Sequence, residues 1–396
     1  MTTVLEIAHD KSMVQAFADL KMLAPELRNK PLSQRKEKLN RLRNWIHQNR
    51  SAIHQAMYDD FRKAAVEVDG IEIFHVLSEI KLAVSHLDEW AAPKKVDAPL
   101  TMLGTRSFIQ YEPRGVCLII SPWNYPFSLA VGPLISAIAA GNVAVLKPSE
   151  LTPNVSGLLA RMVCEVFTDG SVVAFEGGPE VSKQLLSLPF DHIFFTGSPA
   201  IGKVVMKAAA ENLTSVTLEL GGKSPTIVTD SANINDAAER SAVAKFVNNG
   251  QTCVAPDYIL VDEKIADKFI DRFIQKTEKL FAENGSFENS GNYCRIVNDR
   301  HFNRLNEILQ DALQRGATLK WGGKTNPESR FMHPVVLTQV SPDARIMEEE
   351  IFGPIIPIIR YTKIEDAIAI VNNKPKALAL YVFTSSSKIR NLILNQ

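Results

Sequence analysis

A few short stretches of this chain hold residues able to do chemistry. GQTCVAP (250–256) sets Cys253 in a small, polar loop bounded by glycine. A reactive thiol needs access and a means of stabilising its thiolate. No Lys, Arg or His stands within five residues of Cys253, so activation must come from the fold or a bound cofactor. A buried structural cysteine is the alternative reading. LELGGKSP (218–225) places Glu219 between two leucines at the end of an apolar strand. Burial there would raise its pKa and suit a general base working near neutrality. A strand-end glutamate paired with a distant cation would look the same.

SPWNYPF (121–127) presents Asn124 after a strand, where its amide could donate to an oxyanion, or simply bind its own backbone in a turn. HIFFTGSPAIGK (192–203) runs from a strand through Gly197 toward a helix. Gly197 and Gly202 would let backbone N–H groups approach a phosphate at the helix start. The spacing is not GxGxxG. It matches GxxxxGK, but Val204 stands where a magnesium-binding P-loop needs Ser or Thr. A tight strand–helix turn and a nucleotide loop both remain open on this stretch alone. LKPSE (146–150) and EEEIFGP (348–354) add Lys147, Glu150 and Glu350 beside loop-forming Pro or Gly, where each could also be a solvated charge. The eight histidines form no HxxxH pattern, so no metal site is expected.

The elements that must position these residues are legible as alternation. Short apolar runs (GVCLII, NVAVLK, VVAFEG, HIFFTG) are separated by helical stretches near 128–140, from about 154, near 181–188 and near 200–210. That pattern predicts βαβ units and a doubly wound parallel sheet. It resumes with TIVTD, a helix near 235–247, YILVD and a long helix near 265–281, which predicts a second α/β domain with its boundary near 214–220. Upstream, Leu39, Leu42, Trp45, Ile46, Ile53, Ala56 and Met57 recur at helical spacing. A further helix is expected from about Ile71, with Phe74, Leu77, Val84 and Leu87 on one face. AAPKKVDAP (91–99) reads as a linker, and 107–111 as a strand of a projecting hairpin.

Length and composition bound the rest. At 396 residues the chain exceeds one core and suggests two domains. Lys plus Arg and Asp plus Glu both number 44, so no charge excess points to nucleic acid. Cys117, Cys164, Cys253 and Cys294 are dispersed without a CxxC pair, which fits a reducing, cytoplasmic setting. Residues 1–10 lack the pattern of a secretory signal. The stretch from Gly115 to Leu146 carries no charge and is long enough to span a membrane. Its prolines, glycines and asparagines favour a buried α/β core instead, so no integral membrane segment is expected.

Taken together, WN, KPSE, FTGS, LELGGKSP, GQTC and EIFGP resemble the aldehyde dehydrogenase superfamily in order and approximate spacing, from about Pro31 onward. GQTCVAPDY and FTGSPAIGK look like its class 3 group, which includes fatty, aromatic and coniferyl aldehyde dehydrogenases. The resemblance implies an aldehyde dehydrogenase-like α/β fold: an NAD(P)-binding Rossmann-like domain over 1–90 and 113–217, a linker and oligomerisation strand at 91–112, and a catalytic domain over 218–396. It implies NAD(P)-dependent oxidation of an aldehyde to a carboxylic acid, with Cys253 as nucleophile and Glu219 as base. Asn124 would supply the oxyanion hole with the backbone N–H of Cys253.

Lys147 and Glu150 would contact the adenosine ribose, and Gly197 to Gly202 would pass the pyrophosphate. Glu350 and Phe352 would hold the nicotinamide end, while Trp123, Ser198, Leu220 and Gly221 lie in the same cofactor-binding motifs. Glu150 near a ribose would disfavour a 2′-phosphate, so NAD is favoured over NADP. Family members continue beyond YVFT (381–384) with an SGG-type motif, a PFGG-type motif and a dimerisation arm. None follows before Gln396, so the likeness implies a catalytic domain incomplete at its C-terminus and a weakened homodimer. A P-loop phosphotransferase and a non-catalytic protein retaining the fold are the competing readings.

Overall fold

The computed structural model describes residues 12–396, so the segment 1–10 read for a secretory signal lies outside them. The chain divides into two compact units. One takes Val68–Glu219 with the described residues up to Met57, and the other takes Tyr58–Glu67 with Leu220–Gln396.

In the first unit, β1 (Lys94–Val96) and β2 (Ser107–Ile109) pair antiparallel, with Lys95 opposite Phe108. The proline-rich stretch expected as a linker therefore supplies one strand of the hairpin, and all of 91–112 belongs to this unit. The main sheet is β3 (Val116–Ile120), β4 (Val143–Lys147), β5 (Val172–Ala174), β6 (His192–Thr196) and β7 (Ser215–Glu219). All pairings are parallel, in the order β5-β4-β3-β6-β7. Every residue of β3 and β4 is buried, as expected for strands covered on both faces. The charge-free stretch from Gly115 is thus β3, the helix Ser128–Ala140 and β4, all core. No helix among the described residues is long and apolar enough to cross a membrane.

The helices Leu32–Gln48 and Arg50–Phe61 bury Leu39, Leu42, Trp45, Ile46, Ile53, Ala56 and Met57, the stripe read from their spacing. The next helix corrects its expected face. Phe74–Ala91 buries Val76, Ile80, Ala83 and Leu87, while Phe74 is 67% exposed and Leu77 and Val84 are only partly covered. Apolar residues surround this helix, so more than one stripe satisfies a helical period. The preceding π-helical turn, Val68–Ile73, carries buried Glu72, which accepts the Ser128 N–H at 2.8 Å and anchors that turn to the helix Ser128–Ala140.

The second unit is built on β8 (Pro225–Val228), β9 (Tyr258–Asp262), β10 (Thr318–Trp321), β13 (Val335–Thr338), β14 (Ile355–Tyr361) and β15 (Tyr381–Phe383), with a short pair β11 (Thr325–Asn326) and β12 (Phe331–Met332). The large sheet runs β10-β13-β14-β9-β8-β15, parallel except for edge strand β10. Side chains alternate between its faces. Ile227, Tyr258 and Leu260 join a core with Phe302, Leu305 and Ile308, and Val228, Ile259 and Val261 join another with Phe269 and Phe273. Tyr58–Glu67, read from sequence as part of the first domain, clusters here, where Arg295 N–H donates to the Phe61 carbonyl at 2.8 Å.

Candidate active site

In the first unit the strand order reverses between β3 and β6, and ligands of doubly wound sheets bind beyond the carboxyl ends at such a switch. Asn124, buried, and Trp123, half-buried, follow β3. Lys147 ends β4 with 2% exposure, and its Nζ donates to Glu150 Oε2 at 2.9 Å, with Glu150 facing solvent. Ser121 N–H donates to the Lys147 carbonyl at 3.1 Å, while buried Ser121 Oγ has no hydrogen-bond partner among the described residues. After β6, Gly197 N–H donates to the Glu219 carbonyl at 3.0 Å. Ser198 then caps the helix Pro199–Ala210, its Oγ accepting the Ile201 N–H at 3.4 Å, and Gly202 is buried in the first turn. The loop read as a nucleotide binder is therefore a capped helix start, with backbone N–H groups directed along the axis.

Glu219 corrects an expectation. It ends β7 opposite Thr196, but its side chain is exposed, and Leu218 and Leu220 are only half-buried. The cause is topological: β7 is the edge strand of its sheet, with a neighbour on one side only.

The second unit holds Cys253 and Glu350. The helix Ile234–Phe246 leads into a turn in which Asn248 (φ 54°) and Asn249 (φ 56°) both adopt left-handed backbone, uncommon outside glycine. Amide hydrogen bonds hold them there. Asn249 Nδ2 donates to the Cys294 carbonyl (2.7 Å), and Asn249 Oδ1 accepts from the Tyr293 hydroxyl (3.0 Å). Gln251 Nε2 donates to the Asn248 and Arg295 carbonyls, both at 3.0 Å. Gly250 (φ 72°) then passes so close to the Gly353 carbonyl that no Cβ would fit, which brings the GQTC and EIFGP loops together. Cys253 follows, partly exposed, and the Tyr381 hydroxyl donates to the neighbouring Val254 carbonyl at 2.6 Å. Burial, and then charge at Cys253, raise the Tyr381 phenol.

At the remaining cysteines the thiolate is disfavoured. Burial pushes Cys117 up to about 12 and Cys294 well above the usual thiol range. Cys164 is raised by partial burial and by the neighbouring Glu165.

Glu350 packs against Gly221, where a Cβ would lie 2.5 Å and 2.6 Å from its carboxylate oxygens. Burial, then the charge of Asp257, push Glu350 up to about 7, against the Gly222 N–H and the cations Lys223 and Arg304. Phe352 follows with left-handed backbone, φ 48°. Buried around them are residues that sequence reasoning missed. Lys223 pairs with Asp257, and Lys245 is pushed down to about 8, by burial first, against the pull of Asp257. Only their position inside apolar motifs, LELGGKSP and VAPDY, could have marked Lys223 and Asp257 as buried charges.

The first unit thus gathers Asn124, Lys147, Glu150, Gly197, Ser198 and Glu219 at the carboxyl ends of its strands. The second gathers Leu220, Gly221, Cys253, Glu350 and Phe352. Residues 3–395 match the family model described as the aldehyde dehydrogenase family. The chain belongs to this family. It is 44% identical over 382 residues, 96% of this chain and 82% of the relative, to 4,4'-diaponeurosporen-aldehyde dehydrogenase of Staphylococcus aureus. It is 38% identical to aldehyde dehydrogenase family 3 member A2 of Pongo abelii, over 93% of this chain and 75% of that protein. A solved substrate-bound state of Staphylococcus aureus AldH superposes with a TM-score of 0.93 at 43% identity, covering 98% of this chain and 83% of that one. The class 3 resemblance holds, and this aldehyde dehydrogenase performs NAD(P)-dependent aldehyde oxidation. Nothing in these matches favours the phosphotransferase or the non-catalytic reading.

Proposed function

We propose that aldehyde oxidation here proceeds through a thiohemiacetal and a thioester on Cys253. The observation that carries this reading is the placement of Cys253, partly exposed after a turn held by buried amides, while burial or a neighbouring carboxylate suppresses the other thiols. Cys253 Sγ attacks the aldehyde carbon, and the developing oxyanion takes hydrogen bonds from the Asn124 amide and the Cys253 N–H. A nicotinamide, when bound, would supply the two-electron acceptor for the hydride that the adduct loses in becoming a thioester. Glu219, facing solvent, takes a proton from a water that attacks the thioester. The carboxylic acid leaves and the Cys253 thiol is restored.

The chain's own groups fit a dinucleotide. Lys147 Nζ and Glu150 offer a donor and an acceptor to the adenosine ribose, beside the unpartnered Ser121 Oγ. The 197–202 turn, with Ser198, offers N–H groups to the pyrophosphate, and Trp123, Leu220 and Gly221 belong to the cofactor-binding motifs. Glu350 and Phe352 take the nicotinamide ribose and ring. The Glu150 carboxylate would repel a 2′-phosphate, so NAD is the preferred form. The hairpin region exposes Leu100, Leu103, Phe108 and Tyr111, which supports a homodimer through this face. The dispersed free cysteines support a cytoplasmic setting.

The experiment is NADH formation at 340 nm with an aldehyde panel. Cys253→Ala should lose turnover by several orders of magnitude while binding the dinucleotide, and Cys117→Ala, Cys164→Ala and Cys294→Ala should stay within a few-fold of wild type. Near-wild-type turnover in Cys253→Ala would sink the covalent route.

A further inference from the structure

Glu350 lies in an irregular segment between the helix Arg345–Glu348 and β14, and the backbone of that segment is gripped from several sides. Lys223 Nζ donates to the Ile346 carbonyl at 2.7 Å and the Glu349 carbonyl at 2.9 Å, and it pairs with the Asp257 carboxylate. The other oxygen of that carboxylate, Asp257 Oδ1, accepts the Ile351 N–H at 2.8 Å. Arg304 approaches from the helix Asp299–Gln314. Its Nη1 donates to the Glu350 carbonyl at 3.2 Å and its Nη2 to the Ile351 carbonyl at 2.6 Å. Polar groups before, at and after Glu350 are thus held by these side chains.

Lys223 and Asp257 are both almost wholly buried. Desolvation cancels much of what a buried ion pair gains, so such a pair is weak as glue. Here each partner also makes a directed hydrogen bond to the same loop, and what the pair adds is geometry. The Glu350 carboxylate, packed against Gly221, has little room to compensate if its backbone shifts.

We propose that Lys223, Asp257 and Arg304 form a clamp that positions Glu350, and through it the nicotinamide ribose. These are positioning residues, and the proposal rests on the reading of Glu350 as the nicotinamide-ribose ligand.

The test uses Arg304→Gln, Lys223→Met and Glu350→Gln, singly, and Arg304→Gln combined with Glu350→Gln. In the cofactor-free protein, amide exchange across 346–353 should rise about tenfold in Arg304→Gln and Lys223→Met, because the bonds that close this segment are lost. With NAD and aldehyde, single-turnover hydride transfer should slow about tenfold in Arg304→Gln with aldehyde KM little changed, and Arg304→Lys should recover part of the loss. In the Glu350→Gln background, Arg304→Gln should add almost nothing. Arg304 is partly exposed, so its substitution decides the matter even if Lys223→Met fails to fold. Unchanged exchange in Arg304→Gln, or a full additive slowing on top of Glu350→Gln, would overturn the clamp and leave the ribose reading standing. Unaltered hydride transfer in Glu350→Gln itself would remove the ribose reading and the clamp with it.

Discussion

At the end of β7 in the first unit, the Glu219 side chain stands exposed on an edge strand, while its backbone pairs with β6 and accepts the Gly197 N–H. In the second unit, Glu350 is packed against a glycine in a segment tied down by a buried ion pair and an arginine. The contrast separates two tasks that one residue type can perform. A carboxylate that must deprotonate water benefits from access to water. One that must hold a ligand's hydroxyls benefits from a fixed place, and accepts the raised pKa that comes with burial. The same division runs through the thiols, with Cys253 accessible and Cys294 sealed.

The largest effect that could break this contrast is Cys253→Ala, because the accessible groups have work to do only if the thiol carries the substrate. Turnover should fall by several orders of magnitude, measured as steady-state NADH formation. Next is Glu219→Gln, which should slow deacylation about 10²-fold while leaving a pre-steady-state burst of NADH. Equal loss of burst and steady rate would show that Glu219 is not simply the hydrolytic base.

Glu350 sharpens the comparison through pH. Its folded pKa of about 7 lies above the ordinary 4.5, so the folded state holds an extra proton between those values. The stability contributed by that proton is complete below about 4.5 and is lost as pH rises through about 7. Glu350→Gln should flatten that limb of a urea-denaturation series in cofactor-free protein. If Glu350 takes the nicotinamide ribose as proposed, Glu350→Gln should also flatten a rise of hydride transfer through pH 7, since the ionised carboxylate would accept from both ribose hydroxyls. An unchanged profile would place the controlling group elsewhere. The smallest effect is structural. Ser198→Ala removes an N-cap in the first unit and should cost about 1 kcal/mol, a Tm decrease of about 2–4 °C.

Much of the scaffold was legible because buried parallel strands are uninterrupted apolar runs. GVCLII and NVAVLK announce β3 and β4, and the helix between them, Ser128–Ala140, follows from the apolar run that separates the two strands. The face of Phe74–Ala91 was not legible, because apolar residues ring that helix and a buried glutamate in a π-turn sets its anchor. Cys253 and Glu350 were visible in their motifs, but their supports were not. Lys223 reaches carbonyls at Ile346 and Glu349, more than a hundred residues away, and backbone acceptors carry no side-chain signature. The exposure of Glu219 escaped notice for a related reason: two flanking leucines suggest burial, but whether a strand lies at a sheet edge depends on topology.

The central claim is that Cys253 carries the oxidised substrate, and peptide mass spectrometry of a quenched reaction tests it most directly. Glu219→Gln enzyme, mixed with saturating aldehyde and NAD and acid-quenched within the burst, should carry an acyl group on the peptide containing Cys253. Its added mass should equal that of the aldehyde less two hydrogens. A burst of NADH with no adduct at Cys253, or with the adduct on Cys164, would contradict the account.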